Sequence, residues 1–166
     1  MAALVISAFP GCGKSTYYKK YGMTQKILDS DSSNFSWIKD AEGNNTKERN
    51  PEFPLNYINH IKENIYDVDI IFVSSHEIVR KAMVDNGIRY VNIYPKDTVQ
   101  NMKEWRNRFI NRNNSQSFIN TVMENWSKWI LSMVNDTSAT RNIELDLFNG
   151  NAFITDNLIK SIPRRR

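Results

Sequence analysis

Five short apolar or β-rich runs punctuate the chain: Ala3–Ser7, Lys26–Asp29, Asp69–Ser74, Tyr90–Tyr94 and Asn142–Asp146. Each has the length of a strand, and helical or loop material separates each from the next, which predicts strands alternating with helices. Parallel neighbours need a crossover connection, so this alternation implies a parallel sheet with helices on both faces. Between the second and third runs, Leu55, Ile58, Ile61 and Ile65 recur at helical spacing. After the third, Ile78, Val79, Ala82 and Met83 mark the apolar face of another helix, ended by Asn86-Gly87. The segment Thr98 to Asn135 reads as mostly helical, with a break at Asn113-Asn114-Ser115. Its apolar stripe is Phe118, Val122, Trp126, Trp129, Ile130 and Met133, so both tryptophans are expected in the core and not as platforms for bases. Asp40–Pro54, rich in Asn, Glu, Pro and Gly, is expected as a loop.

With 166 residues the chain is long enough for one compact domain and short for two. Apolar residues at 40% and charged residues at 24% exclude a disordered or membrane-spanning chain. No basic region precedes the first strand, and Cys12 is the only cysteine; the expectation is a cytoplasmic protein with neither a secretory signal nor an intrachain disulfide. Part of the net charge of +4 sits in Arg164-Arg165-Arg166. A basic end at about 163–166 is expected to be disordered, with contact to nucleic acid as its alternative use.

The densest chemistry follows the first strand, where Ala8-Phe9-Pro10-Gly11-Cys12-Gly13-Lys14-Ser15-Thr16 leads into a helix expected from Lys14 to about Tyr21. A strand, a loop whose amides converge, and a lysine with a hydroxyl at a helix start are the parts needed to hold a nucleoside triphosphate. Gly11 and Gly13 let the backbone turn inward, Lys14 supplies charge for the β- and γ-phosphates, and Ser15 is placed to hold Mg²⁺. Pro10, Gly11, Cys12, Gly13, Lys14, Ser15 and Thr16 are therefore the candidate donor-binding residues. Ala8 stands where the pattern G-x-x-x-x-G-K-[ST] has its first glycine, which is acceptable while its φ stays negative. Among phosphate-facing amides the Cys12 thiol is expected to be reactive and to be protected by MgATP, with a buried, inert thiol as the alternative.

The second run ends Asp29-Ser30-Asp31-Ser32-Ser33, at the sheet edge where ligands of open parallel sheets bind. If the extended backbone persists through Asp31, both carboxylates share one side, one for the Mg²⁺ shell and the other for an acceptor. The same residues also suit capping of a following helix. The third run ends Ser74-Ser75-His76 with no Asp, and Asp69 is at its other end, which counts against a motor-type ATPase. His76 is a candidate for substrate contact or for a histidine satisfied by backbone. Arg106, Arg108 and Arg112 follow the fourth run, and Arg108 and Arg112, four apart, share a helix face.

On these residues the chain resembles a small P-loop kinase of the nucleotide/shikimate-kinase-like group, and its run of motifs is similar to the short ATP-binding nucleotide kinase proteins of bacteriophages. The resemblance implies a single α/β domain over 1–166 with the P-loop NTPase fold: a five-stranded parallel sheet, an acceptor-binding insertion at about 32–66 and a helical lid at about 98–135. It implies that Asp31 or Asp29 contacts an acceptor hydroxyl, that Arg80 faces an acceptor phosphate, and that lid closure brings Arg108 and Arg112 to the γ-phosphate. Lys14, Asp31, Arg108 and Arg112 are then the catalytic set, with Ser15 and Asp29 on the metal. The implied activity is ATP- and Mg²⁺-dependent phosphoryl transfer to a nucleotide or nucleoside, in the host cytoplasm if phage-encoded, with no membrane partner. Two rival readings stay open: a kinase for a hydroxyl of nucleic acid, at a strand end or on a modified base, and a nucleotide-binding regulatory protein without turnover.

Overall fold

The computed structural model describes residues 1–164; Arg165 and Arg166, the end of the expected basic tail, lie outside the described residues. In chain order the elements are β1 (Leu4–Ala8), α1 (Lys14–Tyr21), β2 (Ile27–Asp29), α2 (Ser33–Ser36), β3 (Trp37–Lys39), β4 (Asn45–Arg49), α3 (Leu55–Asn64) and β5 (Ile70–Ser74). There follow α4 (Glu77–Asp85), β6 (Val91–Pro95), α5 (Val99–Asn111), α6 (Gln116–Glu124), α7 (Trp126–Val134), β7 (Arg141–Leu145) and α8 (Asp156–Ser161). Strands β2-β5-β1-β6-β7 form a five-stranded sheet in which every pairing is parallel. All five strands lie within a residue of the runs expected from sequence; β1, β5 and β6 are buried nearly throughout and so read as mostly apolar runs, whereas β2 is half-buried and the edge strand β7 largely exposed.

The pleat divides the core in two. Leu4, Ile6 and Ala8 of β1 and Ile70 and Phe72 of β5 face the layer made by α1 and α5 to α8. Val5, Ile71 and Val73 face α3 and α4, where Tyr57, Ile58, Ile61, Val79 and Met83 are buried. This arrangement exposes the carboxyl ends of β1, β2 and β5 along one edge, between the two layers.

Three parts of the fold differ from expectation. Asp40–Pro54 is not all loop: β4 pairs antiparallel with β3, Trp37 opposite Arg49 and Lys39 opposite Asn45, in a small hairpin of its own. Its turn is closed by the Asp40 carboxylate, which accepts from the Glu42 and Asn44 amides, with Gly43 at φ 84°. The hairpin has no buried face, so no apolar alternation marks it in the sequence. Thr98–Asn135 holds three helices, the extra break falling at Asn125, whose side chain donates to Thr121 O at 2.8 Å. The expected lid is largely a core layer: Trp105, Phe109, Trp126, Ile130 and Met133 are buried in the same cluster as Phe9 and Cys12. Trp126 is in the core as expected, its indole N–H donating to Asp97, and Trp129 is partly buried against that cluster. Among the described residues no helix is long and apolar enough to cross a membrane.

Candidate active site

The turn from Phe9 to Gly13 carries the chain from the carboxyl end of β1 into α1. Gly11 has φ 81° and Gly13 φ 95°, values that side chains rarely adopt. Space forbids a side chain as well: a Cβ on Gly11 would lie 2.8 Å from Trp105 Cδ1 and 2.9 Å from Phe109 Cε1, and one on Gly13 3.1 Å from Phe153 Cδ1. Ala8 causes no conflict, since Asn113 is the only non-glycine with positive φ among the described residues. The loop is anchored on both sides: the Phe9 amide donates to Ile93 O, and the Ile154 amide to Cys12 O, each at 2.9 Å. Gly13 caps α1 without a side chain, which leaves the first amides of the helix to point outward beside Lys14 and Ser15, both partly exposed. Pro10 and Thr16 flank this cradle, half-buried and exposed.

Arg108 reaches under the loop. Its Nη1 donates to Gly11 O at 2.8 Å, and its guanidinium is sandwiched between the rings of Trp105 and Phe153, 3.9 and 3.8 Å away. Burial lowers its pKa from the ordinary guanidinium value, and Glu104, 3.4 Å from Nε, opposes the shift. Its Nη2 is buried with no hydrogen-bond partner. A buried donor left unmet beside a glycine cradle fits an anion that the cradle receives. Arg112 does not join it: exposed at the end of α5, it is directed to Asn114 Oδ1 at 3.3 to 3.4 Å. Arg106 is exposed.

Cys12 contributes its backbone and not a reactive thiol. The side chain is fully buried, its Sγ facing Ile93 O at 4.0 Å, and burial pushes the thiol pKa up to about 12. The expectation of a thiolate is overturned because the loop turns its amides outward and this side chain inward, into the core.

Across β5 from the glycine loop, β2 stops at Asp29, so strand alternation does not carry through Asp31. Asp31 is exposed and its Oδ1 accepts from the Ser33 amide at 2.9 Å, a local turn contact; the N-cap of α2 is Ser32, and no side chain caps that helix. The turn is held by residues that the motif reading missed. Tyr57 Oη donates to Ser30 O at 2.7 Å and accepts from the Ser74 amide at 3.2 Å, so one hydroxyl ties the end of β2 to the end of β5. His60 Nε2 meets Ser30 Oγ at 2.9 Å, and the Ser32 amide donates to Ser74 Oγ at 3.2 Å. Burial raises the Tyr57 pKa above its ordinary value; hydrogen bonding from Ser74 opposes this, and the nearby charges of Asp31 and Asp29 add to it. Their only sequence signal was an apolar helix whose aromatic sits one turn from a histidine.

His76 is exposed, its ring edge-on to Trp129 at 5.9 Å. Although the residue keeps exposed surface, partial packing of its ring lowers its pKa; Asp31 opposes this, and the charges of Lys14, Arg49 and Arg80 reinforce it. Asp69 lies at the amino end of β5, where its carboxylate accepts from the Lys26 amide.

Arg80, expected to face an acceptor phosphate, points into the protein. Only 5% exposed, it donates through Nε to Ser75 O at 3.0 Å and through Nη1 to Ser132 O and Asp136 Oδ2 at 3.3 and 3.0 Å, with Nη2 on Ser132 Oγ. Asp136 also accepts from Tyr90 and Asn92. Burial turns Arg80 inward, as a tie between α4, α7 and the sheet.

Strand order, glycine loop and the helix that follows it together define the P-loop α/β fold. No protein-family model and no curated protein matches the sequence. Among solved structures the chain is similar to a gluconokinase from Sinorhizobium meliloti 1021, with TM-score 0.50 and 12% identity over 96% of this chain and 87% of that one. It is also similar to an uncharacterized protein from Eubacterium ventriosum ATCC 27560, with TM-score 0.47 and 16% identity over 96% of each chain. The likeness to the gluconokinase is one of fold.

Proposed function

We propose that the protein is an ATP- and Mg²⁺-dependent phosphotransferase that moves the γ-phosphate to a nucleotide or nucleoside. The observation that carries this reading is the glycine cradle with its unmet Arg108 donor, which shares the carboxyl edge of the sheet with the Asp29–Asp31 turn. When bound, ATP would supply the phosphoryl group and Mg²⁺ would neutralise phosphate charge. The loop amides from Gly11 to Ser15 would hold the phosphates, Lys14 would place a point charge among them, and Ser15 with Asp29 would hold the metal. Arg108 fixes the loop from beneath, and Asp31 orients or deprotonates the acceptor from the open side. A hydroxyl acceptor is favoured because an Asp at the same sheet edge as the cradle supplies the base that a phosphate acceptor does not need. The fold neighbour described as a gluconokinase supports the kinase reading.

A second reading, a kinase for a hydroxyl of nucleic acid, is favoured by the hairpin. There the Arg49 guanidinium lies 4.4 Å over the Trp37 ring, an aromatic and cationic pair suited to a base and its phosphate. Incubation with γ-labelled ATP and separate panels of nucleosides, nucleotides and oligonucleotides tests both readings. Label in a small acceptor supports the first, label confined to oligonucleotides the second, and no turnover with any panel refutes both in favour of a nucleotide-binding regulator.

A further inference from the structure

At the opposite edge of the sheet from the glycine loop, the amino ends of β1, β6 and β7 and the segment after α8 line a half-open cavity of about 200 Å³. Leu4, Val91 and Ile162 are among its apolar walls, and Arg89, Arg141 and Arg164 also line it. Unrelated parts of the chain bring these arginines together. Arg89 follows the turn at Gly87 (φ 70°) that ends α4, and Arg141 opens β7 opposite Val91. Arg164 is tied down by Nη2 donating to Asp69 O at 2.8 Å, and Arg141 Nη1 donates to Ser161 O at 3.3 Å. A guanidinium has five donors, and those bonds use one each. None of the three takes part in an ion pair among the described residues, where the pairs are Arg80–Asp136, Arg108–Glu104 and Lys160–Asp156.

Three like charges around one small apolar cavity repel one another until an anion enters, and a guanidinium fork matches phosphate oxygens two at a time. The apolar walls add room for a body attached to that anion. From Leu4 to Ala8, β1 advances four residues, about 13 Å, so a ligand here does not touch the donor loop. We propose that this cavity is a second anion site, which takes a small phosphomonoester: its phosphate meets Arg89, Arg141 and Arg164, and its apolar body lies on Leu4, Val91 and Ile162. The site is independent of the catalytic reading and stands whether or not the chain turns over ATP.

The test is a titration of the ¹⁵N-labelled full chain with AMP in a Lys14→Ala background, which weakens phosphate binding at the donor loop. Saturable amide shifts are expected at Leu4, Arg89, Val91 and Arg141. Arg89→Gln and Arg141→Gln, both at exposed positions, should each weaken that binding roughly ten- to a hundredfold, the effect of losing a charge-assisted hydrogen bond. Shifts confined to Gly11–Ser15, or an affinity unchanged by both substitutions, would overturn the proposal. A parallel titration with a 5′-phosphorylated oligonucleotide separates the sources of phosphate. Binding more than tenfold tighter than AMP would overturn the small-ligand site in favour of a nucleic-acid surface, and comparable or weaker binding supports it.

Discussion

Arg80 gives the sharpest test, because its two readings predict opposite outcomes. As an acceptor ligand its loss would raise the acceptor KM and leave stability nearly untouched. The structure instead makes it half of a buried ion pair, with side chains of Arg80 and Asp136 only 6% and 8% exposed. Arg80→Met keeps the length and apolar body of the side chain but leaves the Asp136 carboxylate buried without its cation. Removing one partner of such a pair costs about 3–5 kcal/mol. Tyr90, Asn92 and the Ser138 amide still donate to Asp136, which places the expected loss near the lower end of that range. In a chain of this length each kcal/mol moves Tm by roughly 2–4 °C, so a fall of about 6–12 °C is expected. Urea unfolding followed by circular dichroism gives the free energy, and acceptor kinetics below the new midpoint give KM. A loss under about 1 kcal/mol with a tenfold or greater rise in acceptor KM would refute the structural role and return Arg80 to the acceptor site.

The same pair predicts acid sensitivity. Burial raises the Asp136 pKa, but hydrogen bonds from Tyr90, Asn92 and Arg80 outweigh it and hold the carboxyl below its ordinary value. Its contribution is therefore complete above about pH 4 and lost as pH falls through the folded-state pKa, and Asp136→Asn should flatten the acid limb of a stability–pH profile. Lys14→Ala should abolish phosphoryl transfer while leaving the circular dichroism spectrum intact; near-normal turnover would remove the loop from the donor site. Asp31→Asn should lower the rate by roughly 10²–10⁴ with little change in ATP affinity if the acceptor is a hydroxyl, whereas Asp29→Asn should raise the Mg²⁺ requirement. Iodoacetamide should leave Cys12 unmodified in the native protein, with or without MgATP, and label it on unfolding; mass spectrometry that finds rapid native labelling would contradict its burial.

The strands and the glycine loop were legible in the sequence because their causes are local. A strand covered on both faces has to be a continuous apolar run, as in Leu4-Val5-Ile6 and Ile70-Ile71-Phe72-Val73, and positive φ at Gly11 and Gly13 leaves little choice of residue. What the arginines do was not legible, because a guanidinium reads alike in sequence whether it meets water, a ligand or a buried carboxylate. Packing alone decided that Arg80 turns inward to Asp136, 56 positions away, that Arg108 reaches Gly11, 97 positions away, and that Arg112 stays outside. The brace of Tyr57, Ser30 and Ser74 escaped for the same reason: the spacing of α3 shows that Tyr57 is buried, but only the approach of α3 to the sheet decides what its hydroxyl meets. The hairpin went unread because its pairing rests on backbone bonds and on Trp37 against Arg49, with no apolar face to leave a period in the chain.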